Sequence, residues 1–267
     1  MLFKETERVI YAKSPLREVI CQLRFPTDLS ISAQPPVEFQ KAIRSLFPNY
    51  SEIVEEEHNI EFNASEGGIS DAHFTQRKTP NFAFESEDKA WRVNLTSNFV
   101  AFSSTAYTTW EDFKERFNLP LNTFLATYKP PFFNRVGLRY LDVIDRHELA
   151  LDGTPWAELL KPEILGMLSS PSIPESSVRN TTQQTEFALD ETATMVVRSG
   201  LGSVGGDPNI CFIIDVDTFR TDDVVADGSI VEKLDSLHAP VSAFFRQSIT
   251  PMLHDVMEPS SLEDYHA

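Results

Sequence analysis

The sequence predicts an α+β fold, with a mainly antiparallel sheet made by two related halves and helices packed on that sheet. Three observations predict it. Apolar and polar residues alternate, as in strands, in many short segments separated by turn residues. Four longer segments repeat their apolar residues with the period of a helix. The order strand, helix, several strands, helix occurs twice, which differs from the strand–helix alternation of a parallel nucleotide-binding sheet.

The first half, residues 1–130, is predicted to open with a strand over 16–25. A helix over 36–47 follows, since Pro36 is tolerated in a first turn and Pro48 stops the helix. A helix over 109–127 closes the half, with Thr108 and Glu111 as its capping box and Pro120 as a bend. Between these helices, an antiparallel meander is predicted from the segments 59–64, 72–76, 81–86, 90–95 and 98–104.

The second half, residues 131–258, repeats this order and is followed by a polar tail over 259–267 that we expect to fray. Leu23-Arg24-Phe25 matches Leu138-Arg139-Tyr140 in type and place, so we infer a diverged duplication. Its predicted elements are a strand over 134–146, a helix over 155–170 broken near Pro162, strands over 182–189, 192–200 and 209–219, and a helix over 229–257 kinked at Pro240 and Pro251.

The charge balance argues against two classes of partner. The 267 residues include 40 acids against 23 bases, for a formal net charge of -17. Such a surface repels phosphate backbones and anionic lipid headgroups, so neither direct nucleic acid binding nor membrane binding is expected. We see no apolar leader and no run near the roughly 18 apolar residues of a membrane span, and therefore expect a cytoplasmic protein.

Recognised catalytic and cofactor motifs do not explain the chain. Cys21 and Cys211 lie in apolar runs, which predicts two buried thiols and no zinc site. The segment 200–205 reads G-x-G-x-x-G, but a strand follows it where a dinucleotide site requires a helix. We interpret that segment as a hairpin loop and predict no cofactor.

Carboxylates supply only weak candidates for a metal site. Asp215 and Asp217 stand two residues apart on a predicted strand and so share one face, as Mg²⁺ ligands or an acid–base pair would. Further ligands are not evident, so both are interpreted as part of an exposed acidic end of the sheet. Asp142 and Asp145, which end another strand, receive the same interpretation.

Two arginines are the strongest candidate binding residues. Arg24 interrupts an apolar run and lies opposite the face formed by Val19, Cys21, Leu23 and Phe25. Arg139 occupies the matching place in the second half. If the halves are related, the two arginines take equivalent positions and could bind an anion or a partner's carboxylates. The competing interpretation is an exposed arginine or a structural ion pair.

Several segments together resemble a sporadically distributed family of uncharacterised prokaryotic proteins. They are "SPLREVICQLRFP", "PPVEFQKAIRSLFPNY", "NRVGLRYLDVID" and "FFRQSITPMLHDVM", which span nearly the whole chain. That family has a Pro-Leu-x-Glu-Val opening strand, a Gly-Leu-Arg-Tyr strand near the middle and an Ile-Thr-bearing helix near the end. The resemblance implies no activity and no site residues, and patchy distribution is often seen among defence and toxin–antitoxin genes.

Three functional hypotheses follow. The first is a non-enzymatic protein that binds a basic protein encoded nearby, as an acidic neutralising or accessory subunit of an antitoxin or defence system; a homo-oligomer is left open. The second is a sensor that binds an anionic small molecule or nucleotide between the two halves, with Arg24 and Arg139 as clamps. The third is a metal-dependent enzyme that uses Asp215, Asp217 and Asp142.

Overall fold

The computed structural model describes residue 3 and residues 7–65, 68–204 and 209–262, with the backbone alone over 55–78. Nine of the strands in these residues form one sheet, and every neighbouring pair is antiparallel. The predicted α+β class is confirmed. The strands are β1 (Val9–Tyr11), β2 (Leu16–Arg24), β3 (Asn49–Ser65), β4 (Gly68–Glu85), β5 (Trp91–Leu95), β6 (Phe99–Ser104), β7 (Phe132–Phe133), β8 (Arg135–Ile144), β9 (Thr182–Ala188), β10 (Ala193–Gly202), β11 (Cys211–Arg220), β12 (Val224–Val225) and β13 (Pro259–Ser261).

Helices cover one face of this sheet. Two of them are long, and the others have seven residues or fewer. They are α1 (Leu29–Ala33), α2 (Val37–Ile43), α3 (Trp110–Tyr128), α4 (Trp156–Leu159), α5 (Pro162–Leu165), α6 (Ile230–Ser248) and α7 (Pro251–Val256), with 3₁₀ turns at Gly166–Ser169 and Glu175–Ser177. Within the described ranges, none of these helices has the length and apolar character needed to cross a membrane.

The two predicted halves meet at the centre of the sheet. The strand order is β3-β4-β5-β6-β2-β8-β11-β10-β9, so the opening strand of each half, β2 or β8, pairs with that of the other. In both halves the last strand of the meander returns to pair with the opening strand, and a long helix follows. The two predicted halves, 1–130 and 131–258, therefore share one continuous sheet. The duplication itself stays a prediction.

The hydrophobic core lies between the helices and the face of the sheet that carries Cys21. Val19, Cys21 and Leu23 are fully buried, while Arg24 is exposed, so the alternation predicted for this strand is confirmed. Cys211 is also buried, as predicted. Because Cys21 lies opposite Phe102 on β6 and Leu138 on β8, all three side chains share the helix-covered face.

A cluster of aromatic rings fastens α3 to this face. Phe102 contacts Phe113 and Phe117 of α3, with ring centroids 4.8 Å and 5.3 Å apart, and stacks on Trp91 of β5. On the other side of the centre, Thr218 of β11 donates its hydroxyl to the Leu237 carbonyl of α6. The two long helices thus cover the same face, one over each half.

The predicted strands over 59–64, 72–76 and 81–86 are parts of one long hairpin formed by β3 and β4. This hairpin includes Pro80, and a proline cannot donate to a sheet ladder. In the structure Pro80 lies opposite Val54, and β5 begins to pair with β4 only at Phe82. Pro80 therefore has no second neighbouring strand that requires its missing N–H.

Prolines interrupt the helices at some of the predicted places. The segment 155–170 is broken at Pro162, as expected. The helices α3 and α6 continue through Pro120 and Pro240, and both prolines are buried, while the predicted bends at these two positions stay predictions. A proline removes one helical hydrogen bond, and we infer that the packing of these helices offsets the loss. The final break comes at Ile249, which forms a bridge with Leu160.

The N-cap of α3 lies one residue beyond the predicted one. The Thr109 side chain accepts a hydrogen bond from the Asp112 amide at 3.1 Å, and Thr109 is buried, whereas Thr108 is exposed. We expect Thr109→Ala to lower the free energy of unfolding by about 1 kcal/mol, because one helical N–H loses its acceptor. Thr108→Ala is the control. Urea unfolding of both variants tests this, and equal losses would contradict it.

The polar tail begins as a strand. Residues 259–261 pair with β1, with Ser260 opposite Ile10. This pairing brings the two ends of the described chain together beside α6, where Tyr11 of β1 meets Arg246. Residues 263–267 of the predicted tail lie outside the described residues, as does residue 205 of the predicted hairpin loop over 200–205. Residues 200–202 of that segment are the end of β10, so this part of the loop prediction is wrong.

Candidate functional site

Arg24 and Arg139 lie on the open face of the sheet, opposite the helices. Gln22 faces Gly137 across the central strand pair, and each arginine lies two residues beyond that pair on its own strand. The two arginines are thus four residues apart along the strands, or about 13 Å at the rise of an antiparallel strand. Arg24 lies directly opposite Arg135, and Arg139 lies opposite Ile20.

The two guanidinium groups have different partners. Arg139 donates Nε and one terminal NH₂ to the two carboxylate oxygens of Asp215, at 2.7 Å and 2.9 Å. Arg24 donates Nε to the Gln22 side-chain oxygen at 2.9 Å. The Arg139 head therefore turns toward β11, away from the strand that carries Arg24. This geometry does not form the two-arginine clamp that the sensor hypothesis requires.

Asp215 and Asp217 are both engaged by arginines. Asp217 accepts hydrogen bonds from Arg135 at 2.8 Å and 2.9 Å, and Arg198 lies 3.7 Å from Asp215. Because guanidinium groups take the carboxylate oxygens, this cluster is an ion-pair network rather than a set of oxygens open to Mg²⁺. Across the described residues, no group of three or more His, Cys, Asp or Glu side chains is placed to hold a metal ion.

We expect the ion pair and the lone arginine to differ in their contribution to stability. Arg139→Gln should lower the free energy of unfolding by about 1–2 kcal/mol, since Asp215 is largely buried and loses its bidentate donor. Arg24→Gln should change it by less than about 0.5 kcal/mol, as for other exposed positions. Guanidinium chloride unfolding measures both losses. A loss of stability for Arg139→Gln no larger than that for Arg24→Gln would contradict a stabilising role for the ion pair of Arg139 with Asp215.

A cavity opens on the opposite, helix-covered side, at the end of β8 where the two halves meet. Its volume is about 180 Å³. The first half contributes β1 and the start of α3, and the second contributes the end of β8 and one side of α6. The side chains that line it include Arg8, Val9, Ile10, Tyr11, Tyr107, Trp110, Tyr140, Asp142, His238, Val241, Phe245 and Arg246.

Asp142 is the buried charged group of this cavity. Its side chain follows Leu138 and Tyr140 on the helix-covered face of β8, and the residue is only 7% exposed. Among the described residues, none donates a hydrogen bond to its carboxylate. Loss of hydration raises the pKa of Asp142 to about 7 from an ordinary value of 3.8. A buried carboxylate without a donor is costly unless something in the cavity binds it.

An uncharged wall of rings lies beside Asp142. The Tyr140 hydroxyl is hydrogen-bonded to His238 Nδ1 at 2.9 Å, and the His238 ring stacks on Trp110 with centroids 4.8 Å apart. Burial lowers the pKa of His238 to about 4, so this ring is neutral at pH 7. Trp110 donates its indole N–H to Asp235 at 2.6 Å, which fixes the wall to α6.

Arg246 and Arg8 are the cations of the cavity. Arg8 is neutralised by Glu111, to which it donates two hydrogen bonds at 3.0 Å and 2.7 Å. Arg246 donates NH1 to the Tyr11 hydroxyl at 2.8 Å and to His254 Nδ1, both uncharged acceptors. Its Nε is buried and has no hydrogen-bond partner within the described ranges.

The acids at the end of β8 are Asp142 and, just after the strand, Asp145. Asp142 and Asp145 were predicted on an exposed acidic edge, and this is wrong, since they are 7% and 9% exposed. The signal was present in the alternation, because Asp142 shares the parity of Val136, Leu138 and Tyr140. Tyr11, His238 and Arg246 come from distant segments, and no local pattern marks them as neighbours.

No protein-family model matches the chain, and no curated protein matches it either. The resemblance to the prokaryotic family therefore stays a prediction, and the site is interpreted from its own geometry.

Proposed function

We propose that this protein is a sensor-type binding protein that takes a small molecule into the cavity between its two halves. The observation that carries the proposal is Asp142, a buried carboxylate that lines the cavity and accepts no hydrogen bond from the part of the chain that the structure describes. Leaving a buried charge unpaired costs several kcal/mol, so such a group is retained where a ligand satisfies it. Apolar and aromatic walls with a few polar groups are typical of ligand sites.

The ligand presents a hydrogen-bond donor to Asp142, and a protonated amine satisfies the carboxylate best. A phosphate or a nucleotide would meet repulsion at this point. The volume of about 180 Å³ also lies below the range of about 300–1,000 Å³ usual for larger ligands. The predicted place between the halves is retained in this proposal, while the predicted clamp of Arg24 and Arg139 is not.

Thermal unfolding in the presence of butylamine and benzylamine tests this function. Both amines should raise the melting temperature in proportion to the logarithm of their concentration, and butan-1-ol should have a weaker effect. Asp142→Asn should abolish the gain from the amines. Asp217→Asn, which alters a paired acid on the open face, should retain it. If the two variants respond alike, or if neither amine stabilises the wild type, the proposal fails.

A second proposed function, binding of a basic partner protein, rests on the net charge of -17. Electrostatic attraction acts over long range and raises association rates more than affinity. We expect co-expression with a basic product of an adjacent gene to yield a complex whose association slows as salt is raised. If the complex forms at the same rate in low and high salt, electrostatic attraction does not drive its association, and this proposal is contradicted.

A further inference from the structure

Arg246 is a second unsatisfied group in the same cavity. It is partly buried, it forms no ion pair among the described residues, and its Nε lacks an acceptor there. NH1 is occupied by Tyr11 and His254. Among the described residues, no hydrogen bond uses the other terminal nitrogen of Arg246, so that nitrogen can donate to the carboxylate of a ligand. In the part of the chain that the structure describes, no carboxylate forms an ion pair with this arginine, although the chain holds 40 acids and 23 bases.

We propose that the ligand is a small zwitterion, whose ammonium group binds Asp142 and whose carboxylate binds Arg246. This inference rests on the proposed function and adds the class of ligand. The cavity then holds two complementary charges, and one molecule that carries both satisfies both. Amino-acid-like compounds with an ammonium and a carboxylate at the two ends of a short apolar chain belong to this class.

The charges of the other lining groups support two separate poles. Glu111 neutralises Arg8, and His238 is uncharged at neutral pH. Tyr11 lies near both poles, because its hydroxyl accepts a hydrogen bond from Arg246 and its pKa responds to the charges of both Arg246 and Asp142. The pKa of Asp142, in contrast, is raised by burial and is not lowered by Arg246. The acid and the guanidinium are therefore not a pair that neutralises itself.

Apolar side chains complete the lining. Val9 and Ile10 come from β1, and Val241 and Phe245 come from α6. A short methylene chain between the two charged groups of a ligand would bury itself against such surfaces, at about 0.8 kcal/mol per CH₂. The polar ends and the apolar lining thus define one kind of molecule.

The test uses ω-amino acids from 3-aminopropanoate to 6-aminohexanoate. Each is compared with the alkylamine and the alkanoate of the same length in thermal unfolding and calorimetry of the full chain. At one chain length, the zwitterion should bind about tenfold or more tightly than its amine, which is the usual effect of a charged hydrogen bond. An amine that binds as tightly as every zwitterion overturns this inference and leaves the proposed function standing. If no compound of the series binds, both are overturned.

Variants assign the two poles. Arg246→Gln should abolish the advantage of the zwitterion and retain binding of the amine, whereas Asp142→Asn should abolish both. Because Arg246 also holds Tyr11 and His254, Tyr11→Phe serves as a second variant that perturbs the same contacts and keeps the charge. Tyr11→Phe should keep the preference for the zwitterion. Equal loss of that preference in Tyr11→Phe and Arg246→Gln would assign Arg246 a structural role and overturn the inference.

Discussion

Asp142→Asn is expected to stabilise the unliganded protein at about pH 8 and to change its stability little at about pH 3, below the pKa of this carboxyl in both states. The folded-state pKa of Asp142 is about 7, above the ordinary 3.8 of the unfolded chain. Between these values the folded state holds a proton that the unfolded state releases, so stability falls as pH rises from about 4 to about 7. Above the folded-state pKa, burial of the ionised carboxylate lowers the free energy of unfolding by roughly 4 kcal/mol. This figure is the largest gain in stability expected for Asp142→Asn.

Thermal unfolding of the wild type and the variant across this pH range measures the effect. The gain in melting temperature should grow with pH and level off above the pKa of Asp142. Asp217→Asn provides a control of opposite sign, because it removes a carboxylate that Arg135 stabilises and should lower stability near neutral pH. A constant difference between wild type and Asp142→Asn at every pH would contradict the assigned burial of this charge.

Phe102→Ala is expected to lower the free energy of unfolding by about 3–5 kcal/mol, the usual cost of deleting a fully buried ring. Phe102 is 0% exposed and contacts Phe113 and Phe117 of α3 as well as Trp91. Its loss would leave a void beneath α3, which the surrounding rings can fill only partly. Because α3 begins at the cavity, the ligand response should weaken as well.

Urea unfolding compares this variant with Phe99→Ala. Phe99 lies on the same strand but on the open face, where it is half-buried opposite Arg24. Its deletion should cost about 1–2 kcal/mol, since less apolar surface is lost from a buried environment. A loss for Phe99→Ala as large as that for Phe102→Ala would contradict the placement of the main core on the helix-covered face of the sheet.

Much of the architecture is encoded in short-range pattern. Alternation from Val19 to Phe25 predicts a strand with one buried face, and the structure buries that face against the helices. The period of Phe113, Phe117 and Leu121 likewise predicts the helix that becomes α3. Such patterns are readable because a strand repeats every two residues and a helix every 3.6, whatever lies around them. They also predict which way Arg24 points.

Contacts between residues on neighbouring strands cannot be predicted from such local patterns. Arg139 binds Asp215, which lies 76 residues away, because β8 and β11 are neighbours in one register. The sequence shows both residues but cannot show that they meet. The Pro80 position is similar, since its tolerance depends on where a neighbouring strand begins. Pairing is a property of the assembled sheet, and local propensities do not specify it.

The amino-acid sequence determined the elements, the buried faces and the acidic charge of this protein, because these depend on residue type and on spacing along the chain. The cavity was decided by tertiary structure, since Tyr11, Asp142 and Arg246 come together only when β1, β8 and α6 pack. The meaning of Asp142 changed most. An acid at a strand end is ordinary on a surface, and burial without a donor is what makes it a candidate binding group.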